Sequence, residues 1–361
     1  MSQPLREDLP DAAALDVFLS GQLFFDVVFT GLAQPPTPGT EVWSRDMGAG
    51  PGGIANFAVA LARFGLRTGL SAAFGDDLHG RYCWQTLTGE GIDLSRSRSF
   101  PGWPMPVTVS LAYQGDRALV THGAPIPARP DELIGDPPSS RAAIVHIGPE
   151  PLEWLGRARA AGSLIFADVG WDPSQEWSLA LLDQLALCHA FLPNAHEAMS
   201  YTRTDTPHAA LARLAELVPL AVVTCGGDGA LAIDATTGES AAVPGLDINV
   251  VDPTGAGDVF GASLVTATLA GWPLAERLRF ANLAAALSVQ RIGGALAAPG
   301  WAGIAQWWQA VRTGGGDPEL RRAYGFLADV IPATEPVADV IPATQPVAEA
   351  FDGPPGGGHR T

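Results

Sequence analysis

The chain has 361 residues, of which 47% are hydrophobic, so it can bury the core of one large domain or two ordinary ones. Its formal net charge is −17, and its basic residues are 21 arginines with no lysine. Nucleic acids and anionic membranes require a basic face, so we expect neither as a partner. The absence of lysine also excludes a Walker A loop and a Schiff-base lysine, so any phosphate would be held by backbone N–H groups, arginine or metal.

The N-terminal residues 1–14 are predicted to be a flexible leader. They are polar and acidic, unlike a signal peptide, and no apolar run reaches about 18 residues, the length of a membrane span. The three cysteines are widely spaced and match no disulfide framework or metal motif. We therefore expect a cytoplasmic protein.

Strand and helix patterns alternate along the chain. In the first part we predict strands at 15–19, 24–29 and 69–74, an edge strand at 41–43, helices at 54–65 and 82–89, and a hairpin of strands at 107–112 and 118–121. In the second part we predict strands at 143–147, 163–167, 190–192, 220–224 and 230–234, and helices at 152–161, 178–186, 195–201, 209–217, 259–270, 275–291 and 304–312. This alternation predicts an α/β fold whose parallel sheet is covered by helices on both faces.

The composition changes after residue 313. A Pro-rich decamer at 328–337 is followed by nearly the same ten residues at 338–347, and glycines dominate 353–358. We interpret 314–361 as a mostly disordered Pro/Gly-rich tail with a repeated decamer.

One stretch carries most of the chemistry. In Asp252-Pro-Thr-Gly-Ala-Gly-Asp258, a glycine-rich turn opens a helix, so the N–H groups of Gly255, Ala256 and Gly257 form a potential anion site. A carboxylate beside an anion site repels phosphate, so Asp258 is better explained as a base that takes a proton from an attacking hydroxyl. Taken alone, the stretch is equally compatible with an ordinary turn and an acidic residue in a first helical turn.

Three stretches occur in a particular order: Gly52-Gly53-x-x-Asn56, then Pro193-Asn194-x-x-Glu197, then the stretch ending in Asp258. In this order they resemble the ribokinase-like carbohydrate kinases of the PfkB family, over about residues 15–313. The resemblance implies a three-layer α/β/α fold with a mostly parallel central sheet and a small β lid, for which 22–46 and 105–122 are the candidates. It also implies transfer of the γ-phosphoryl group of ATP, with Mg²⁺, to a sugar hydroxyl.

The resemblance also implies roles for individual residues. Asp258 is similar to the catalytic base of the family. The backbone N–H groups of Gly255, Ala256 and Gly257 are similar to the family's anion hole. The other implied roles are sugar contacts (Asp26, Gly52, Gly53, Asn56), nucleotide contacts (Asn194, Thr224, Gly226, Gly229, Asn282), orientation of Mg²⁺ through water (Glu197), and binding of an activating monovalent cation such as K⁺ (Asp252).

Several alternatives stay open. A nucleoside kinase of the same fold would need an aromatic slot, for which Phe25, Trp43 and Trp103 are available, whereas a sugar-phosphate kinase would need cations and the candidate lid offers only Arg45 and Arg117. A non-catalytic sugar sensor would not need Asp258, and a homodimer could form through the lid edge.

Two further groups of residues have ordinary explanations. Asp168 and Asp172 follow a strand end and could border the site, but we place capping and turn roles ahead of that, and we expect the histidines to be structural or exposed.

Overall fold

The computed structural model describes residues 15–113, 116–172, 174–314 and 317–332. Its strands are β1 (Leu15–Ser20), β2 (Leu23–Thr30), β3 (Asp46–Gly53), β4 (Thr68–Ser71), β5 (Ala73–Gly75), β6 (Arg98–Phe100), β7 (Val107–Tyr113), β8 (Asp116–His122), β9 (Ser140–His146), β10 (Leu164–Asp168), β11 (Ala190–Phe191), β12 (Leu220–Thr224), β13 (Ala230–Asp234) and β14 (Glu239–Val243).

The helices are α1 (Ile54–Arg63), α2 (Leu78–Gly89), α3 (Pro130–Ile134), α4 (Glu153–Ala160), α5 (Ala195–Thr202), α6 (Pro207–Leu214), α7 (Ala256–Leu269), α8 (Leu274–Ser288), α9 (Trp301–Thr313), α10 (Pro318–Ala323) and α11 (Leu327–Val330). Short 3₁₀ segments occur at Leu179–Leu187, Gly226–Asp228 and Gly294–Ala297. The first of these replaces the α-helix predicted at 178–186.

The main sheet has eight strands in the order β14-β13-β12-β11-β10-β9-β1-β4. The strands from β12 to β4 are parallel, and β13 and β14 are antiparallel additions at one edge. Successive residues of β1 and β9 alternate between two hydrophobic cores: Val17 and Ile144 belong to one, and Phe18 and Ala143 to the other. Strands buried on both faces are nearly all apolar, which explains their continuous hydrophobic runs. The predicted three-layer α/β/α fold with a mostly parallel sheet is confirmed.

A smaller sheet, here called the second sheet, has the strand order β3-β2-β7-β8. It corresponds approximately to the predicted lid segments, with one correction. The predicted edge strand at Glu41–Trp43 does not form, and Trp43 is 82% exposed. Instead Asp46–Gly53 pairs with all eight residues of β2, although its glycines and proline have low strand propensity, because cross-strand pairing dominates local preference.

The region after residue 313 also differs from the expectation. Residues 317–332 contain α10 and α11, and Tyr324 and Leu327 are buried against the core around α9. These apolar side chains stabilise helices that the local composition alone would not support. Most of the repeated decamer, together with the leader at 1–14, lies outside the described residues. No helix within the described part of the chain is long and apolar enough to cross a membrane.

Candidate active site

The candidate site lies where neighbouring parallel strands of the main sheet end. His146 is the last residue of β9 and is in register with Asp168, the last residue of β10. Asn194 follows β11 and forms an isolated bridge with Thr224, the last residue of β12. The carboxyl ends of parallel strands form the usual ligand-binding edge of an α/β sheet, so the topology gathers these residues from distant parts of the sequence.

Helix α7 begins at the same edge. Gly255 has φ 75° and ψ 6°, a left-handed conformation that glycine adopts without steric cost, and it turns the chain into the helix. A Cβ at Gly257 would meet nothing within 4 Å, so a ligand can approach that part of the backbone. The N–H of Ala256 donates to the Pro253 carbonyl at 3.3 Å, so in this conformation it is partly engaged within the turn. The helix dipole adds partial positive charge at this point.

Asp258 stands in the first turn of α7 and is held by Asn56 of α1. The Asn56 Nδ2 group donates to Asp258 Oδ2 at 2.8 Å, whereas the buried Asn56 Oδ1 has no hydrogen-bond partner among the described residues. Burial raises the pKa of Asp258 from 3.8 to about 7, against the lowering effects of Asn56 and Arg117. A carboxylate with a pKa near neutrality is suited to accept a proton at physiological pH.

Two further residues lie beside Asp258: His146, which was expected to be structural or exposed, and Asp168, for which a place at the site was the second alternative. Ligand atoms of His146, Asp168 and Asp258 all lie within 4.8 Å of one another, close enough to hold a metal ion. Burial lowers the pKa of His146 to about 4, so its imidazole is neutral at physiological pH, and burial with the charges of Glu197 and Asp258 raises the pKa of Asp168 well above its usual value. Asp168 Oδ1 accepts from the Val169 N–H at 2.8 Å, so Asp168 makes a local backbone contact and also borders the site, the second of the two roles considered for it. The expectation of a capping or turn role is right for Asp172, which accepts hydrogen bonds from the Ser174 and Trp177 backbone.

Asp26 approaches the same space from β2 of the second sheet. Its carboxylate lies against Gly52, where a Cβ would be 1.8 Å from Asp26 Oδ2, so only glycine fits. Burial, followed by the charges of Asp258 and Asp252, raises the pKa of Asp26 to about 7. The charge of Asp258 acts on Asp26, so the two carboxylates lie near each other, although Asp26 belongs to the second sheet and Asp258 to α7. Neighbouring Gly53 has φ 61°, which lets β3 turn directly into α1.

Asn194 and Glu197 form a capping box at the start of α5. Asn194 Oδ1 accepts from the Glu197 N–H at 3.0 Å, and Glu197 Oε2 accepts from the Asn194 N–H at 2.9 Å. The Glu197 side chain is buried. This burial is the largest effect on the pKa of Glu197 and raises that pKa to about 7. The charge of Glu197 acts on Asp168, and the two carboxylates offer the oxygen ligands that Mg²⁺ prefers, so the residues present fit a magnesium ion at this edge.

Asp252 braces the turn that precedes α7. One carboxylate oxygen accepts from the Thr254 N–H at 2.9 Å and the other from the Gly293 N–H at 3.2 Å. The side chain is almost fully buried. It therefore joins the 252–255 turn to the 293–294 segment, and the structure assigns it this bracing role.

The remaining predicted residues lie together further along the sheet edge. Gly226 and Gly229 have positive φ angles, and a Cβ at Gly229 would be 2.1 Å from the Val243 carbonyl oxygen. Asn282 donates from Nδ2 to the carbonyls of Val243 and Pro244 at 3.3 and 3.2 Å. The Asn282 amide thus holds the end of β14 against α8, next to the loop that contains Gly226 and Gly229.

The second sheet is in contact with the turn before α7 at two points. Ser110 Oγ is 3.2 Å from Thr254 Oγ1, and the Arg117 guanidinium donates to the Pro253 carbonyl at 3.1 Å. The second sheet therefore lies over the N-terminus of α7, facing the strand ends of the main sheet. Asp26 of the second sheet and Asp258 of α7 both border the space between them.

The architecture and the site define a class of protein: an α/β enzyme with a carboxylate beside a helix N-terminal anion site, covered by a small β-sheet. Comparison with known proteins agrees. The pfkB family carbohydrate kinases match residues 26–300. The chain is 31% identical over 269 residues to the fructokinase of Klebsiella pneumoniae, covering 68% of this chain and 85% of the fructokinase.

A second relative is the aminoimidazole riboside kinase of Salmonella typhimurium, 30% identical over 280 residues, with 69% of this chain and 85% of the relative covered. Among solved structures, Arabidopsis thaliana ribokinase complexed with ribose and ATP superposes with a TM-score of 0.67 at 24% identity, covering 81% of this chain and 98% of the ribokinase. The chain belongs to the PfkB carbohydrate kinase family, and it is a phosphotransferase that acts on a hydroxyl group.

Proposed function

We propose that the protein phosphorylates a sugar hydroxyl with ATP. The observation that carries the proposal is the Asp258 carboxylate, held by Asn56 on the first turn of α7, directly beside backbone N–H groups suited to an anion. The fructokinase and ribokinase relatives support a sugar acceptor, and the ribokinase complex supports ATP as donor.

The residues divide the reaction between them. Asp26 and Asn56 would hold the hydroxyls of the sugar, since carboxylate and amide groups match vicinal hydroxyls in hydrogen bonding. Asp258 would take the proton from the attacking hydroxyl while the N–H groups of Gly255 and Gly257 stabilise the phosphoryl oxygens.

Glu197 and Asp168 would hold Mg²⁺, which neutralises phosphate charge when bound. The second sheet acts as the lid, because it covers the site and excludes water from the reacting groups.

The nucleotide would lie along the Thr224 to Gly229 segment, next to Asn194. Gly226 and Gly229 give this loop positive φ angles, a Cβ at Gly229 would clash with the Val243 carbonyl, and Asn282 fixes the neighbouring β14. We further propose that Asp252 binds a monovalent cation such as K⁺ through its carboxylate, in addition to bracing the turn.

A nucleoside acceptor is the second candidate, supported by the riboside kinase relative. The structure does not place the three expected aromatic residues around such a base. Trp43 is exposed, Trp103 is buried with its indole N–H donating to Pro125, and Phe25 packs on His79 and Tyr82 of α2. Residues alternate along β2, so Phe25 faces away from Asp26.

The test is an ADP-release assay with Mg²⁺ and K⁺ over a panel of ribose, fructose, 2-keto-3-deoxygluconate, adenosine, inosine and fructose 6-phosphate. Turnover on a free sugar supports the proposal. Turnover only on a nucleoside moves the function to the second candidate, and turnover only on fructose 6-phosphate moves it to a sugar-phosphate kinase. An assay without K⁺ tests the monovalent cation.

A further inference from the structure

The site has an excess of negative charge. Carboxylate oxygens of Asp168 and Asp258 lie within 4.8 Å of each other, and Asp26 and Glu197 are close enough for the charge of Asp258 to act on both. Phosphoryl transfer would bring further negative charge into the same space. Because the chain contains no lysine, the protein can supply a permanent cation only from arginine.

Arg117 is placed to supply this charge. It is the second residue of β8, paired with Ala112 of β7, and its Nη1 donates to the Pro253 carbonyl at 3.1 Å. Pro253 lies two residues before Gly255, so the guanidinium is close to the start of α7. Arg117 also lowers the pKa of both Asp26 and Asp258, so its charge acts on carboxylates from both sides of the site.

A second contact makes it possible to distinguish the charge of Arg117 from its attachment of the second sheet to the 253–254 segment. Ser110, on neighbouring β7, is buried and lies 3.2 Å from Thr254 through the two hydroxyl oxygens. Both Ser110 and Arg117 therefore connect the second sheet to the 253–254 segment, but only Arg117 carries a charge. If the sheet merely needed attachment, the two residues would be equivalent.

We propose that Arg117 is the cation that offsets the charge of the transferring phosphoryl group, and that the second sheet delivers it when it covers the site. The proposal rests on the proposed kinase function. In the reaction the acceptor oxygen bonds to the γ-phosphorus, its proton passes to Asp258, and the bond from phosphorus to the ADP oxygen breaks. Arg117 forms no covalent bond, and its guanidinium balances the charge spread over the phosphoryl oxygens.

The test compares Arg117→Met with Arg117→Lys, Ser110→Ala and Arg45→Met, the last being an exposed arginine just before β3. Loss of the guanidinium should lower kcat by about 100-fold, in the range seen for removal of one charge-stabilising donor. Lysine should restore part of the rate, because it keeps the charge but not the planar fork of donors. Ser110→Ala and Arg45→Met should stay within about threefold of wild type.

The pH dependence of kcat/KM provides a second test. A purely structural role of Arg117 would leave the position of its acid limb unchanged. Asp258 is faced by Asn56 of α1, Asp26 of β2, His146 of β9 and Asp168 of β10, besides Arg117. Removing the positive charge should raise the pKa of Asp258, so the acid limb of kcat/KM for Arg117→Met should move to higher pH. An unmoved limb together with equal losses in Arg117→Met and Ser110→Ala would overturn the proposal.

A binding measurement keeps the test independent of turnover. ADP with aluminium fluoride and Mg²⁺ imitates the transferring phosphoryl group, and calorimetry should show binding at least about tenfold weaker in Arg117→Met, with ADP alone unchanged. Equal binding in both proteins would overturn the Arg117 role. A wild type that binds this complex but turns over no acceptor would instead contradict the proposed function. A loss confined to KM for fructose 6-phosphate would place Arg117 on an acceptor phosphate and also overturn the proposal.

Discussion

The proposed acceptor half of the site, around Asp258, and the proposed nucleotide half, around Gly229, are built differently. Around Asp258, side chains dominate: Asp26, His146 and Asp168 have strongly shifted pKa values because they are buried together. Around Gly229, backbone shape dominates, with positive φ angles and carbonyls held by Asn282. Proton transfer needs titratable groups in a dry environment, whereas holding a nucleotide needs a surface into which no side chain intrudes. Variants in the two halves should therefore fail in different ways.

The largest effect is expected at the centre of the acceptor half. Asp258→Asn should lower kcat by at least about 10³-fold, because an amide cannot accept the hydroxyl proton. The Asn56 contact can be kept by the new amide oxygen, so acceptor affinity measured by calorimetry should be nearly unchanged. Loss of acceptor binding in parallel with kcat would show that the carboxylate serves binding instead.

A large effect on acceptor affinity is expected at Gly52. An added Cβ would lie 1.8 Å from the Asp26 carboxylate, so Gly52→Ala must displace it, and KM for the acceptor should rise about tenfold or more while KM for ATP changes little. Gly156→Ala is the matched control, since its Cβ would point into open space on the surface of α4. Equal KM values in both variants would argue against Asp26 as a sugar contact.

The opposite pattern is expected in the nucleotide half. Gly229 has φ 99°, and its Cβ would meet the Val243 carbonyl at 2.1 Å, so Gly229→Ala should raise KM for ATP by about tenfold, with acceptor KM preserved. Gly227→Ala nearby, where a Cβ meets nothing within 4 Å, is the control. A rise in acceptor KM alone would break the division of the site into two halves.

The pH dependence of the acceptor step should follow the ionisation of Asp258. Asp258 must be ionised to act as base, and its pKa is raised to about 7, so kcat/KM for the acceptor should fall as the pH decreases through about 7. Initial rates at saturating MgATP between pH 5 and 9 would show this limb. A flat profile down to pH 5 would contradict the raised pKa or the role as base.

The smallest effect concerns stability. The folded pKa of Asp258, about 7, exceeds its ordinary value of 3.8, so its contribution is fully present below pH 3.8 and is lost as the pH rises towards 7. The asparagine of the Asp258→Asn variant does not titrate, so the variant avoids the cost of a buried charge. Its Tm should exceed that of wild type at pH 8 by about 2–4 °C for each kcal/mol gained in the free energy of unfolding, and by less at pH 5. Exposed Asp183→Asn is the control. An equal gain at both pH values would point to a cause other than the buried charge.

The sequence was informative where chemistry is encoded locally. Glycines followed by an apolar run predict the start of α7, and this places Asp258 on its first turn without any knowledge of the fold. The alternation of strands and helices likewise predicts the parallel sheet. The capping box of Asn194 and Glu197 depends on a spacing of three residues, which a sequence displays directly.

Features that depend on distant residues were not predictable in this way. His146 and Asp168 meet because β9 and β10 pair in one particular register, and neither residue carries a local signal beyond its place at a strand end. Strand β3 forms from a glycine-rich segment because β2 offers a complete partner. The helices at 317–332 depend on a buried contact with α9. In each case a tertiary contact outweighs local preference.

The central claim is that Asp258 activates an acceptor hydroxyl for attack on ATP. The most direct measurement follows γ-³²P-labelled ATP with the preferred acceptor, and counts phosphorylated acceptor and ADP in wild type and Asp258→Asn side by side. The account predicts equal amounts of both products in wild type, no ADP without acceptor, and almost no transfer in the variant. Transfer by the variant near the wild-type rate, or ADP formation without a labelled acceptor, would contradict it.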